Sequence, residues 1–210
     1  VITEEMIRQA LIERHTAGVQ RKLAGARVAI AGLGGLGSNV AFVLARAGVG
    51  HLHLLDFDKV DITNLNRQQY FIRHIGMYKT DALTEELQQI NPYLHIRADC
   101  VKVTEGNLAD LFGQDEIVCE AFDRPEAKAM LVNGIREYYP DKLLVAASGM
   151  AGYGGSDTIR TRQIAEHFYV CGDGGSSPEH GNGLMAPRVA LCAAHQANLI
   201  TQYIIDRHIN

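Results

Sequence analysis

Gly32, Gly34, Gly35 and Gly37 stand in the run GLGGLG, which follows the short apolar stretch RVAIA and opens a helical pattern. Glycines permit a tight strand-to-helix turn, and the first N–H groups of the helix have no intrahelical acceptor, so a phosphate can sit against them. Asp56 comes 19 residues after Gly37, at the end of the next apolar run. A carboxylate there can accept hydrogen bonds from both ribose hydroxyls. The two features in order indicate an adenosine nucleotide without choosing among NAD, FAD and ATP; the competing reading is a tight turn that holds no ligand. The residues after Asp56 discriminate. The segment DFDKVDITNLNRQ carries Asp58, Asn64, Arg67 and Gln68, and Lys79 opens a helix in GMYKTDA. Hydride transfer needs the phosphate turn and the ribose acid but no cations beyond them. Arg67 supplies a planar fork and Lys79 a point charge, a pair suited to stabilising charge on a phosphoryl group. The bland alternatives are an ion pair of Arg67 with Asp58 or Asp61, and a solvated Lys79.

The apolar spacing says what positions these residues. The run at 27–33 reads as a short buried strand, and those at 51–57, 95–100, 116–122 and 142–148 as further strands. Helices are expected at 38–47, where Val40, Val43, Leu44 and Ala47 share one face, and at 79–90, 105–112 and 125–138, the last opening with proline. Strands alternating with helices mean an α/β, Rossmann-like, mostly parallel sheet flanked by helices. A helical lead-in over 3–24 bends or ends at Gly18. After Gly149 come two glycine-rich stretches, GMAGYGG and GDGGSSPEHGNG, expected to be mobile loops. Between them DTIRTRQI alternates like an antiparallel strand, and 184–207 reads as a long C-terminal helix. The organisation expected is one domain over 1–210: a lead-in (1–25), a nucleotide-binding core (26–148), and a small β/loop region with the C-terminal helix (149–210).

Composition narrows the class. The chain is 47% hydrophobic and 21% charged, with no apolar run of membrane-spanning length. The opening VITEEMIRQALIERH lacks an apolar signal core, so a cytoplasmic location and no membrane partner are expected. A net charge of -4 without a basic run argues against nucleic acid as the main partner, although charge alone leaves tRNA modification open. Cys100, Cys119, Cys171 and Cys192 form no CxxC pair, which fits a reducing compartment and gives no tetrahedral set; no zinc is expected. His51 and His53 share a strand face but lack a third ligand, which favours packing over metal binding.

The blocks GLGGLGS, DFDKV, NLNRQ and GMYKTDA, in this order, resemble the ThiF/MoeB/HesA adenylyltransferases, relatives of the ubiquitin-activating enzymes. The resemblance runs from about Gln20 to the C-terminal helix. EAFDRPEAKAML, SGMAGYGGSDTI, YVCGD and GLMAPRV are most similar to a compact ThiF-type enzyme. Such an enzyme acts on the sulfur carrier ThiS in thiamine thiazole biosynthesis. The resemblance implies ATP- and Mg²⁺-dependent adenylation of the C-terminal carboxylate of a ubiquitin-like carrier ending in Gly-Gly, with release of pyrophosphate. A carboxylate of pKa about 3.5 is already ionised and needs no general base. By carry-over, Gly32, Gly34, Gly35 and Gly37 hold the nucleotide, and Asp56 and Asp58 close its ribose side. Asn64, Arg67 and Gln68 contact phosphates or ribose, Lys79 the phosphates, and Asp123 lies near Mg²⁺. Asp123 also reads as a helix N-cap with Glu126 as capping-box partner, and Arg124 stands where the family usually has asparagine. A homodimer is implied, with an N-terminal arginine, Arg14 in preference to Arg8, completing the partner's site. Cys171 is either a sulfur-transfer nucleophile on a mobile loop or an inert buried thiol. Three alternatives stay open: a tRNA threonylcarbamoyladenosine dehydratase of the same family, an NAD-dependent oxidoreductase, and a non-catalytic nucleotide-binding module.

Overall fold

The structure is a computed structural model, and it describes residues 1–178 and 183–206. The five expected runs form β1 (Arg27–Ala31), β2 (His51–Leu55), β3 (His95–Asp99), β4 (Ile117–Glu120) and β5 (Leu143–Ala147); four are buried and β3 is an exposed edge strand. A hairpin of β6 (Arg160–Ala165) and β7 (Phe168–Gly172) extends the sheet. The order is β3-β2-β1-β4-β5-β7-β6, parallel throughout except for β6 against β7. The chain runs outward from β1 through β2 to β3, then returns to place β4 on the other side of β1. Such a reversal opens a crevice beyond the carboxyl ends of the two central strands.

Alternate side chains of a strand point to opposite faces, and β1 shows both. Val28 and Ile30 pack with Val40, Leu44, Cys192, Ala193 and Ile200 on one face. Ala29 and Ala31 pack with Leu108, Phe112, Val118, Leu131 and Leu144 on the other. The first face is covered by α3 (Gly35–Ala47), α4 (Lys79–Ile90) and α7 (Ala186–Asp206), the second by α5 (Glu105–Phe112) and α6 (Pro125–Tyr138). Among the described residues no helix is long and apolar enough to cross a membrane.

Three sequence expectations are corrected. The lead-in breaks at Thr16, not Gly18, giving α1 (Glu4–His15) and α2 (Ala17–Gly25). Thr16 adopts φ 89; its N–H closes α1 on the Ile12 carbonyl and its hydroxyl accepts the Val19 N–H of α2. Gly18 lies inside α2. The stretch around Cys171 is strand β7, paired parallel to β5, rather than a mobile loop. The second strand stops at Leu55, which leaves Asp56 free to turn under the glycines. Part of the second glycine-rich stretch (179–182) and Arg207 lie outside the described residues.

Candidate active site

The glycine turn occupies the crevice between β1 and β4. Gly32 takes φ +91, and a Cβ on Gly37 would lie 1.8 Å from the Gly32 carbonyl oxygen, so both positions require glycine. Gly34 is the N-cap of α3 and makes no side-chain cap. The N–H groups of Gly34, Gly35, Leu36 and Gly37 find no acceptor among the described residues. Four unpaired donors at a helix start form a cradle for an anion.

Asp56 is buried beneath this turn. Its Oδ2 accepts the Leu33 N–H at 2.7 Å and its Oδ1 the Asp58 N–H at 2.8 Å. Burial raises its pKa, while Lys79 and the two N–H groups work the other way. Each carboxylate oxygen keeps a second lone pair, so these bonds leave acceptor capacity for ribose hydroxyls. Lys79 is only 6% exposed, against the bland alternative of a solvated lysine. A short antiparallel pairing puts it there: Lys79 N–H meets the Asp58 carbonyl at 2.9 Å and Val60 N–H the Met77 carbonyl at 2.8 Å. Its Nζ then stands 3.0 Å from Asp58 Oδ2 and 3.9 Å from Asp56 Oδ2.

Arg67 lies with its stem over the turn; a Cβ on Gly35 would sit 3.4 Å from its Cγ. Its guanidinium reaches Asn66 Oδ1 at 2.8 Å and the Thr63 carbonyl at 3.3 Å. Among the described residues it makes no ion pair, and the expected alternative with Asp58 or Asp61 is not formed; Asp61 caps Thr63 instead. Gln68 is buried, with Nε2 3.8 Å from where a Gly34 Cβ would be, and its Oε1 has no partner. A buried acceptor without a donor among the described residues, beside a cradle of unpaired donors, is an arrangement that a ligand carrying both kinds of group would satisfy.

Other predicted residues sit differently. Asn64 spends its Oδ1 on the Asp61 N–H at 3.0 Å, a capping contact within its own 3-10 turn. Asp123 is exposed and its side chain makes no bond among the described residues. The capping box with Glu126 does not form, because the N-cap of α6 is Arg124, with extended backbone and no side-chain cap. The segment before Asp123 abuts the turn: a Gly32 Cβ would meet the Ala121 carbonyl oxygen at 2.8 Å. Arg14 is exposed on the last turn of α1. Helix α1 packs through Leu11 beside Gly48, at the far end of α3. Thirteen residues of helix span about 20 Å, so Arg14 does not serve its own chain's turn. Arg8 is already paired with Glu5.

Cys171 is corrected as a nucleophile. It is fully buried in β7, its Sγ 3.5 Å from Thr161 Oγ1, and burial raises its pKa. A buried, protonated thiol does not attack. His53 is held between Asp115 (2.8 Å) and Asp99 (2.9 Å), which uses both ring nitrogens, and His51 stacks on His95. His74, Glu85 and Glu86 come together near α4, but Arg73 already bridges both glutamates.

Several residues that build the site were not singled out from sequence. Ser38 Oγ donates to the Gly34 carbonyl, and Asn39 Nδ2 ties the Gly35 carbonyl to that of Arg67. Two buried polar residues early in an apolar helix were the available signal. The buried Glu120 and the half-buried Lys128 form a pair at 2.9 Å that also fixes both backbone groups of Phe122, just before Asp123. Arg188 bonds the Gly154 and Gly155 carbonyls at 2.9 Å each and Asp173 at 2.5 Å. It lines a cleft of about 810 Å³ together with Arg160, Arg162 and Asp173. Val189, the next residue of α7, does not line the cleft; it packs on the turn, its Cγ1 2.8 Å from where a Gly35 Cβ would be.

The sequence profile described as the ThiF family matches residues 6–210. The chain belongs to the ThiF family. It is 30% identical over 203 residues to the molybdopterin-synthase adenylyltransferase of Escherichia coli, covering 92% of this chain and 80% of that one. Identity to the Haemophilus influenzae protein of the same name is 37% over 125 residues, 59% of this chain and 51% of the relative. The E. coli tRNA threonylcarbamoyladenosine dehydratase is 34% identical over 131 residues, 61% of this chain and 48% of the relative. The ThiF-family chain thus spans about half the length of two of these three relatives. The crystal structure of the dehydratase in complex with ATP superposes with a TM-score of 0.88 at 22% identity, covering 99% of this chain and 98% of that one, and shows the same fold.

Proposed function

We propose that this ThiF-family chain uses ATP to adenylate the C-terminal glycine carboxylate of a small ubiquitin-fold, ThiS-like sulfur carrier, releasing pyrophosphate. The observation that carries the reading is the buried Lys79 ammonium beside Asp56 and Asp58, next to a glycine turn whose Gly34, Gly35, Leu36 and Gly37 N–H groups are unpaired among the described residues. Hydride transfer has no use for that cation. Names of relatives support adenylyl transfer.

The residues dictate the chemistry. The nucleophile is an ionised carboxylate, so the chain's task is to place it in line with the α-phosphate and to offset negative charge. The turn N–H groups and Gln68 hold the nucleotide, Asp56 its ribose, and Lys79 and Arg67 its phosphates. Arg67 is held only by neutral acceptors, which a phosphate outcompetes as a charged partner. The carrier tail is assigned to the arginine-lined cleft, whose Arg188 precedes on α7 the Val189 that packs against Gly35. Asp123, a carboxylate without a partner among the described residues, fits a hard, oxygen-seeking cation. Mg²⁺ bound there would offset charge on the phosphate oxygens. Arg14, exposed and unpaired among the described residues, is assigned to the site of a second copy in a homodimer.

The test is isotope exchange between pyrophosphate and ATP. Exchange that requires a Gly-Gly-ended carrier supports the reading; exchange supported by threonylcarbamoyl-modified tRNA alone moves the chain to the dehydratase branch. Absence of both, with a nicotinamide absorbance change on a small substrate, overturns it.

A further inference from the structure

Tyr70 comes directly after the NLNRQQ segment and is buried. Its hydroxyl donates to the Leu33 carbonyl at 2.8 Å, while the Leu33 N–H donates to Asp56 at 2.7 Å. Residue 33 is therefore tied to buried groups through both its N–H and its carbonyl. No peptide bond among the described residues is cis. In a planar trans peptide the carbonyl and the next N–H point in opposite directions. With the Leu33 carbonyl turned inward to Tyr70, the Gly34 N–H is turned away from it, and it has no acceptor among the described residues. Gly34 lacks a Cβ, so without the hydroxyl the 33–34 peptide could flip at little steric cost.

We propose that Tyr70 is a positioning residue: by holding the Leu33 carbonyl inward it aims the Gly34 N–H at a nucleotide phosphate. The inference rests on the proposed use of ATP and deepens it. The simpler view is that the hydroxyl only satisfies a buried carbonyl. Tyr139 provides the matched control, since its hydroxyl donates to the Ala109 carbonyl between α6 and α5, away from the turn.

The experiment compares wild type, Tyr70→Phe and Tyr139→Phe by thermal melting and by competition binding of MgATP and adenosine against a fluorescent ATP analogue. Adenosine shares the ribose contact but has no phosphate. Tyr70→Phe is expected to weaken MgATP about tenfold, the worth of one hydrogen bond to a charged group. Its adenosine affinity stays at the wild-type value, and Tyr139→Phe changes neither. Unchanged MgATP affinity in Tyr70→Phe overturns the inference, as does an equal loss of ATP and adenosine, which would report collapse of the turn. Wild-type protein that binds no ATP would instead remove the nucleotide reading itself.

Discussion

Lys79→Met removes the cation and keeps much of the apolar stem. At 3.9 Å from Asp56, and with an effective dielectric of about 20, the lost attraction is about 4 kcal/mol. Breaking a buried pair by removing one partner costs about 3–5 kcal/mol. The Asp56 carboxyl moderates that cost by taking up a proton, because burial already raises its pKa and Lys79 is the largest influence opposing the rise. We expect a loss of about 3 kcal/mol at pH 8. The raised pKa sets the sign of the pH effect. An ionised Asp56 needs the cation and a protonated one does not, so the gap between variant and wild type narrows as pH falls. It narrows by up to about 1.4 kcal/mol per pH unit while only the variant is protonated. Urea melts at pH 8 and pH 5.5 measure this, and pyrophosphate–ATP exchange measures activity, expected to fall about 10²–10³-fold. A variant as stable as wild type at pH 8 with undiminished exchange would refute the placement of Lys79 under the phosphates.

Four further outcomes are expected. Gly37→Ala, whose methyl would lie 1.8 Å from the Gly32 carbonyl oxygen, should abolish ATP binding and lower the melting temperature. Cys171→Ala should retain carrier-dependent exchange, and a thiol reagent should titrate only Cys100 in the native protein, since Cys119, Cys171 and Cys192 are buried and burial pushes Cys192 up to about 12. Lys128→Met should cost about 3–5 kcal/mol in a urea melt, by leaving the buried Glu120 unpaired. Burial works to raise Asp173, but the Ser176 and Gly175 N–H groups and Arg188 bring it below its ordinary value. Its contribution is therefore complete above the unfolded-state pKa of about 3.9 and drains as pH falls below it. Melting of wild type and Asp173→Asn should accordingly converge in acid.

The local features of the fold were legible and the long-range ones were not. Apolar runs alternating with amphipathic helices indicated the parallel sheet, because the period of the pattern belongs to each segment alone. The glycine turn, Asp56 and Lys79 were readable for the same reason: each is tied to the start or end of an element. Strand β7 escaped because glycines flank it and its pairing with β5 crosses more than twenty residues of chain. Cys171 was misplaced with it. The Arg188–Asp173 and Glu120–Lys128 pairs join separate elements, and their sequence carries no period that marks them. Asp123 looked like a helix cap from its spacing to Glu126; the backbone starts the helix one residue later, at Pro125, whose fixed φ suits the first helical position.

The central claim is that Arg67 and Lys79 grip a triphosphate lying against the glycine turn. A crystal structure with a non-hydrolysable ATP analogue tests it directly. Phosphate oxygens are expected on the Gly34 and Gly35 N–H groups, with Lys79 Nζ in contact with them and the Arg67 guanidinium swung off Thr63 and Asn66 to meet them. An analogue bound with its phosphates elsewhere, or with both cations left on their present protein partners, would contradict the claim.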